Sequence, residues 1–343
     1  MFEFYESVDE NIVKGLPNLV EQLGGDASAL LNRVGLSLAG IQCGEERPHY
    51  RQVIELVGLA ASELKHTHFG MHLGQTQVGT IRSPLVRLVE SAATLGDALR
   101  LICAHSYAHS PAVAIWLDEE QWSDTVAYGV DILIDGLPNR SQAMEQVLLI
   151  AYRTLQQAMG TMLRAKLVTF RHEPISPIAL YRRYFGCKVV FGQSADAIIL
   201  WASDLDRRIQ HGSEEDLRSV LEAVQQRLPT YETPVHAKVR GFLMNRIGTE
   251  FCGMNDAALS IGCSVKKLAR MLQAEGTSFQ RIKNKIREEF VRYYIEETDL
   301  DFTVISERVG FCEQSALNHF CAKRANASPS EMRVAARTRT RLD

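Results

Sequence analysis

Thr303-Val-Ile-Ser-Glu-Arg-Val-Gly-Phe-Cys-Glu-Gln-Ser-Ala-Leu-Asn-His-Phe320 has the spacing of a helix-turn-helix. Val304, Ile305 and Val309 give a short first helix an apolar face, because residues three and four apart lie on one side. Gly310 follows where the chain must turn sharply, and glycine enters the left-handed conformation without steric cost. The segment therefore predicts two helices joined by a tight turn.

The second helix of this segment combines an apolar face with a polar one. Its inward face is predicted to hold Ala316, Leu317 and Phe320. Its other faces carry side chains that form hydrogen bonds, namely Gln314, Ser315, Asn318 and His319. A polar face of this kind is what reading base edges in a DNA major groove requires.

The same layout occurs once more, earlier in the chain. Three positions have counterparts 48, 48 and 49 residues later: Ala258 with Ser306, Gly262 with Gly310, and Leu268 with Leu317. One spacing of this kind is a weak signal, but two in tandem form an internal repeat and are much stronger. An all-helical packing module that binds no nucleic acid is the alternative interpretation.

Several motifs in this third of the chain resemble those of AraC/XylS-type transcription regulators. They are Glu275-Gly-Thr-Ser-Phe-Gln280, Arg287, Thr298-Asp-Leu300, Glu307-Arg-Val-Gly-Phe311, Ser315-Ala-Leu317 and Ser328-Pro-Ser330. The resemblance implies an all-α domain of two helix-turn-helix subdomains joined by a long helix over residues 279–296. Both recognition helices would then enter adjacent major grooves of double-stranded DNA, and a homodimer and RNA polymerase would be the protein partners.

The resemblance assigns roles to exposed positions on both recognition helices. On the first, Ser264 is a good N-cap, and Leu268, Met271 and Leu272 are predicted to face inward. The base-reading positions would be Lys266, Ala269, Arg270, Gln314, Ser315, Asn318 and His319. The phosphate contacts would be Lys267, Arg287, Lys323 and Arg324.

The second helix-turn-helix departs from the family pattern at three positions. His319 stands where the family usually has Arg, and Cys321 where it has an aromatic residue. Cys312 occupies the position where Ser normally caps the recognition helix, and a thiol is a weaker acceptor. These departures predict that the second recognition helix positions the protein and adds modest specificity, while the first supplies most of the sequence selection.

Charge is divided unevenly along the chain. The formal net charge is −3, but residues 236–343 carry 18 Lys and Arg against 13 Asp and Glu, or +5, which leaves −8 for the remainder. An acidic domain joined to a basic one fits a regulator that contacts DNA with one end. Chance variation between two parts of a chain is the alternative explanation.

Residues 1–205 predict an α+β domain with a mixed sheet. Amphipathic helical segments fill the first 110 residues, and Ala112 to Leu117 with Thr125 to Ile134 predict an antiparallel hairpin. Ser141 to Leu163 predicts a long helix, and three short strands and another helix follow up to residue 201. The resemblance here is to the arabinose-binding-type domain of the same family rather than to its jelly roll. It rests on residues 70–79, Thr94-Leu95, Tyr181-Arg-Arg-Tyr-Phe-Gly186 and Val190-Phe191.

The domain boundaries follow from these segments. Residues 1–205 would sense an effector and dimerise, residues 206–235 would form a helix and a linker, and residues 236–343 would bind DNA. Within the connecting part, Ser213 to Arg227 predicts an amphipathic helix, and Pro229 to Pro234 an extended linker. The dimer candidates on that helix are Leu217, Val220, Leu221 and Val224. The alternative, nearly as well supported, is that this stripe packs on its own domain.

Other classes of function find little support. The seven cysteines form no CxxC pair, and no signal peptide or long apolar run is present, which predicts reduced thiols in a cytoplasmic protein without a membrane. His66, His68 and His72 lie close in sequence, and His105 and His109 are four apart on a predicted helix. Without a carboxylate at ligand spacing, we expect no metal and no cofactor. No nucleophile elbow or phosphate loop is present, and Gly70-Met-His-Leu-Gly74 follows no strand.

The sequence therefore predicts a transcription regulator that responds to a small molecule or a partner of unknown identity. We expect it to act as an activator. The first alternative is an enzyme that its C-terminal domain only localises. The second is an architectural DNA-binding protein without an effector. A cavity with convergent polar groups in the N-terminal domain would favour the sensor over the architectural protein.

Overall fold

The computed structural model describes residues 5–43, 47–119, 124–134, 136, 137, 139–160, 163–210, 212–227 and 234–340. The chain divides into two compact units, Met1–Thr233 and Pro234–Asp343. Within the described residues, no helix is both long and apolar enough to cross a membrane. The predicted linker residues 229–233 lie outside the described residues.

The first unit begins with short helices, as the sequence predicts. In chain order they are α1 (Leu16–Gln22), α2 (Ala27–Arg33), α3 (Leu38–Cys43), α4 (Tyr50–Glu63), α5 (Phe69–Gln77), α6 (Pro84–Ser91) and α7 (Leu95–Ala104). Side chains cap several of these helices: for example, Ser83 caps α6 by accepting from Val86 N, and Thr94 caps α7 by accepting from Asp97 N. A hydroxyl side chain therefore marks the start of both helices.

A five-stranded mixed sheet follows, with one long helix and one short one. These elements are β1 (Val113–Asp118), β2 (Thr125–Ile132), α8 (Ser141–Ala158), β3 (Leu167–Thr169), α9 (Ile178–Phe185), β4 (Lys188–Val190) and β5 (Ala197–Trp201). The strand order is β1-β2-β5-β3-β4. All neighbours are antiparallel except β3 and β4, which are parallel. The predicted α+β class with a mixed sheet is confirmed.

The glycines of the 70–74 segment bring two helices into close contact. A Cβ atom on Gly70 would lie 2.0 Å from Gln142 O, and one on Gly74 would lie 3.0 Å from Gln146 O. Helix α5 therefore packs against α8 at a distance that only glycine allows. The two glycines of this segment therefore serve the packing of α5 against α8.

Two buried charged clusters tie the sheet to its surroundings. Arg171 donates to Asp131 Oδ1 at 2.8 Å and to Asp196 Oδ2 at 3.0 Å. Glu145, on α8, accepts a 2.5 Å hydrogen bond from the Tyr181 hydroxyl. Burial raises the pKa of Glu145 to about 8. The first cluster is a compensated ion pair, whereas the second favours a neutral carboxyl.

The last helix of the first unit, α10 (Glu214–Arg227), packs on that unit. Val220 and Val224 are 2% and 3% exposed and form an apolar cluster with Leu88 of α6. Leu217 and Leu221 are half-buried against the same cluster. The stripe proposed for a dimer thus has an intramolecular partner, as in the alternative interpretation.

The second unit is entirely helical over its described residues. Its helices are α11 (Val235–Arg246), α12 (Met254–Ile261), α13 (Val265–Ala274), α14 (Phe279–Glu297), α15 (Phe302–Arg308), α16 (Gln314–Ala325) and α17 (Pro329–Thr340). The helix pairs α12–α13 and α15–α16 form two helix-turn-helix subdomains, and α14 is the long helix between them. This confirms the predicted fold of the C-terminal part.

Candidate nucleic-acid interface and ligand cavity

The internal repeat is visible in the backbone of the two turns. Gly262 and Gly310 both have φ of +74°, the left-handed conformation that the sequence predicts for them. The residue after each glycine donates to a carbonyl five residues back: Cys263 N to Ala258 O and Phe311 N to Ser306 O, both at 2.9 Å. These bonds satisfy carbonyls at the end of each first helix and fix the direction in which the chain leaves it.

The recognition helix α13 has two clearly different faces. Ser264 caps its start by accepting from Lys267 N at 3.3 Å, and Leu268 and Leu272 are fully buried. The predicted reading side chains are all exposed, namely Lys266, Ala269 and Arg270, together with the predicted phosphate contact Lys267. No described residue forms a hydrogen bond or an ion pair with the side chain of Lys266 or Arg270, so both cations are available to a ligand.

The recognition helix α16 is built on Leu317 and Cys321, which are buried. Cys321 therefore takes a core position where the family has an aromatic residue. The predicted reading residues are exposed: Gln314, Ser315, Asn318 and His319. Lys323 and Arg324 are exposed one turn further on. Gln314 also accepts from the Thr303 hydroxyl at 3.1 Å, which ties it to the preceding helix.

The two turns differ by one residue, and this corrects the predicted cap. Helix α13 begins three residues after Gly262, whereas α16 begins four residues after Gly310. The N-cap of α16 is consequently Glu313, whose side chain makes no capping hydrogen bond, and not Cys312. The Ser306 hydroxyl instead donates to Glu313 O at 2.8 Å. One extra residue between Gly310 and Leu317 shifts the register of the cap, in line with the repeat offset that rises from 48 at the glycines to 49 at Leu317.

Arg287, predicted to contact phosphate, is held by the protein itself. Its Nε donates to Val309 O at 3.0 Å, and its Nη2 donates to Gly310 O at 2.8 Å. The guanidinium also lies over the Phe311 ring, 4.7 Å from the centroid. The side chain is half-buried and joins α14 to the second turn. These contacts give it a framework role at the turn.

Two other residues of the family motifs, Glu275 and Thr298, form hydrogen bonds with backbone atoms of the second unit. The Glu275 carboxylate accepts from Val235 N and His236 N, both at 2.8 Å, and so caps α11. These hydrogen bonds, together with the nearby His236, lower the pKa of Glu275 against the opposing effect of burial. The Thr298 hydroxyl donates to Tyr294 O at 2.6 Å at the end of α14. Glu275 and Thr298 thus hold elements of the second unit in place.

A cavity in the first unit lies between α8, the β1–β2 hairpin and α6. Its empty volume is about 690 Å³, part of which is open to solvent. Aliphatic side chains form most of its wall, with Asp9, His109, Tyr128 and Thr154 among its polar groups. A mostly apolar lining with a few polar groups is typical of small-molecule binding.

The sequence did not reveal this cavity. Val147, Ala151 and Leu155 follow one another at helical spacing on α8, and that stripe looks the same whether it packs against a neighbour or lines a space. The polar residues that line the cavity together with this stripe, such as Tyr128 and Thr154, set it apart from a filled apolar core. Their positions on α8 and β2 are close in space but distant in sequence.

The two groups of histidines noted in the sequence lie in different surroundings. His66 and His72 are joined by a 3.2 Å contact between Nε2 and Nδ1, and burial lowers the pKa of both. His105 ends α7, and His109 follows a 3₁₀ turn, so the two do not share one helix face as predicted. Among the described residues, no group of three or more His, Cys, Asp or Glu side chains is arranged to hold a metal ion.

Comparisons with known proteins agree with the two units. The model of the arabinose-binding domain of AraC transcription regulators matches residues 24–209, more than half of the chain, and a helix-turn-helix domain model matches residues 257–335. The HTH-type transcriptional regulator VirS from two strains of Mycobacterium tuberculosis is 26% identical over 321 residues, which is 93% of this chain and 94% of VirS.

Solved structures of regulators align as well. The transcriptional regulator CdpR from Pseudomonas aeruginosa is 17% identical, with a TM-score of 0.41, over 89% of this chain and 96% of CdpR. The C-terminal domain of AraT, a response regulator from Geobacillus stearothermophilus, is 25% identical, with a TM-score of 0.29, over 31% of this chain and 88% of that domain.

Proposed function

The chain belongs to the family of AraC transcription regulators. We propose that its recognition helices bind a specific DNA sequence with different roles and that its first unit responds to an effector. The chain is a DNA-binding helix-turn-helix regulator, and its domains and relatives are those of regulators rather than enzymes.

Helix α13 supplies most of the sequence selection. The observation that carries this proposal is the pair of exposed cations without protein partners, Lys266 and Arg270, on the face opposite the buried Leu268 and Leu272. An arginine that meets the N7 and O6 atoms of guanine makes a bidentate contact and discriminates against other bases. Ser315, Asn318 and His319 on α16 offer only neutral or singly hydrogen-bonding groups, and Lys323 and Arg324 hold the phosphate backbone.

Arg270→Ala and Lys267→Ala, measured on a cognate promoter site and on random DNA of equal length, test this assignment. Arg270→Ala is expected to cost about 1–3 kcal/mol on the cognate site and much less on random DNA, because random DNA offers no fixed guanine. Lys267→Ala, its neighbour and matched control, is expected to weaken both complexes equally. Equal losses for Arg270→Ala on both DNAs would replace base reading by a phosphate role. Footprinting on DNA that flanks the protein's own gene supplies the cognate site.

The first unit senses a small molecule and acts on transcription through the second. The cavity beneath α6 supports the sensing role, since a purely architectural protein has no need of a space with unpaired polar groups. The family resemblance supports activation through RNA polymerase. Transcription in vitro from the footprinted promoter, with purified polymerase, decides the sign: a fall in transcript on adding the protein would contradict activation.

A further inference from the structure

Most of the cavity wall is aliphatic. Six of its aliphatic side chains come from the long helix, the hairpin and α7: Val147, Ala151, Leu155, Ile115, Val130 and Ile102. None of the described residues that line it is Lys or Arg, and Asp9 is the one charged side chain among them. An anionic ligand would lose its hydration in the cavity and find no cation there to compensate for it, and it would be repelled by the carboxylate of Asp9. A sugar would bring several hydroxyl groups to walls that cannot pair with them.

The polar groups of the cavity are few, and two are unpaired. Among the described residues, neither the Tyr128 hydroxyl nor the Thr154 hydroxyl forms a hydrogen bond with the protein. Neither is one of the fully buried polar atoms that lack a partner, so a bound molecule in the cavity can reach both. At the other polar position, Asp9 Oδ1 already accepts from the backbone and side-chain nitrogens of Asn11, at 2.9 and 2.6 Å. A ligand with a hydroxyl, carbonyl or amide group would supply the missing partner.

His109 adds a neutral group to this wall. It is half-buried, and desolvation lowers the pKa of its imidazole, while the nearby Asp9 has the opposite, smaller effect. Its Nε2 lies 3.4 Å from the Tyr50 hydroxyl. The neutral ring therefore offers one donor and one acceptor and no charge. It suits an uncharged ligand as well as Tyr128 does.

The dimensions favour an elongated molecule. Val147 and Leu155 are eight residues apart on α8, which corresponds to roughly 12 Å at 1.5 Å per residue. Aliphatic residues of β1 and β2 line the cavity together with these residues of α8. A medium-length aliphatic chain with one polar end fits both the length and the chemistry.

We propose that this cavity binds an uncharged aliphatic molecule with a single hydrogen-bonding group, of the class of medium-chain alcohols, ketones, esters or amides, and that this molecule is the effector. The inference rests on the proposed sensing function and names the ligand class for it. It departs from a sugar, although the matched domain is described as arabinose-binding. Charged fatty acids are excluded by the same absence of a counter-ion.

The cavity wall also offers a route to the end of the first unit. Ser83, Val86 and Val89 of α6 line the cavity, and Leu88 of the same helix packs against Val220 and Val224 of α10. Helix α10 is the last described element before residue 234. A ligand that shifts α6 therefore acts on the helix through which the chain leaves the unit.

Binding of 1-decanol, decanoic acid and L-arabinose to the full chain at neutral pH tests the ligand class, with calorimetry as the readout. Saturable binding of 1-decanol is expected, with decanoic acid at least about tenfold weaker and L-arabinose not bound. Tighter binding of decanoic acid or of L-arabinose than of 1-decanol overturns the proposal.

Variants locate the site. Ala151→Trp fills the cavity and is expected to abolish binding of 1-decanol, whereas Gln157→Trp, exposed on the same helix, leaves it unchanged. Tyr128→Phe keeps the ring and the fold and is expected to weaken binding about twofold to tenfold through the lost hydrogen bond. Affinity for 1-decanol that neither Ala151→Trp nor Tyr128→Phe lowers overturns the assignment to this cavity.

Promoter binding with and without 1-decanol separates this inference from the proposed function. A change in promoter affinity that Ala151→Trp removes supports both. If 1-decanol does not bind but another small molecule changes promoter affinity, the proposed ligand class is wrong and the proposed sensing function stands. Binding of 1-decanol in the cavity without any change in promoter affinity or transcription overturns its role as effector.

Discussion

Arg287→Ala distinguishes a framework arginine from a phosphate contact. In the structure the guanidinium donates to Val309 O at 3.0 Å and to Gly310 O at 2.8 Å and lies over the ring of Phe311. A hydrogen bond from a charged group contributes about 1.5–3 kcal/mol, and an exposed cation–π contact about 0.5–1 kcal/mol. Because the side chain is only half-buried, we take the lower end and expect the second unit to lose about 2–4 kcal/mol of unfolding free energy.

The location of the tryptophans makes this loss measurable unit by unit. Trp116, Trp122 and Trp201 all belong to the first unit, so tryptophan fluorescence reports its unfolding alone, whereas far-UV circular dichroism reports both units. In urea, Arg287→Ala is expected to move the dichroism transition of the second unit to lower concentration and to leave the fluorescence transition in place. Treating the two transitions separately avoids a single two-state fit to a two-unit chain.

Two further variants control the measurement. Arg281→Ala changes an exposed arginine on the same helix and is expected to alter stability by no more than about 0.5 kcal/mol. Arg287→Lys keeps the charge but lacks the planar fork, so we expect only partial recovery. The reasoning is refuted if Arg287→Ala leaves the second unit as stable as before and instead lowers the salt dependence of DNA binding by about one phosphate contact.

Three other predictions concern different parts of the chain. His319→Arg is expected to tighten promoter binding at neutral pH, because arginine carries a permanent charge and a planar fork of donors; unchanged affinity would mean that His319 does not face DNA. Glu145 has a pKa of 4.5 when unfolded and about 8 when folded, so its contribution to stability falls as pH rises through that window. Glu145→Gln should remove this slope from urea unfolding followed by tryptophan fluorescence, and an unaltered slope would contradict the neutral carboxyl. The full chain is expected to sediment as a dimer at micromolar concentration, and Val224→Ala, on the buried stripe, should lower thermal stability without dissociating it; a monomeric full chain would contradict the dimer.

The helix-turn-helix architecture could be predicted because local rules fix it. Gly262 and Gly310 need a left-handed backbone, and the apolar residues around them recur at helical spacing. The β1–β2 hairpin was predictable for a similar reason, since its strands are adjacent in sequence and rich in β-forming residues. Each of these features depends on residues that lie close together along the chain.

The partners of side chains could not be predicted in the same way. The α10 stripe indicated a buried face, but not that Leu88 of its own unit covers it. Arg287 matched a family motif, but its carbonyl partners lie more than twenty residues away. Long-range packing decides such cases, and an amphipathic pattern or a motif describes only one side of the contact.

The arrangement of the second unit separates the residues that hold the fold from those proposed to read DNA. Glu275 and Arg287 bond to backbone atoms of other elements, while Lys266 and Arg270 project from α13 without protein partners among the described residues. Substitution of a side chain that makes no intramolecular contact costs the fold little. A family built in this way can change its target sequence at the exposed positions while its framework residues keep the two recognition helices in place. Resemblance in the framework therefore identifies the fold and the DNA-binding class, whereas the target sequence would depend on the side chains proposed to read bases on the exposed face of α13.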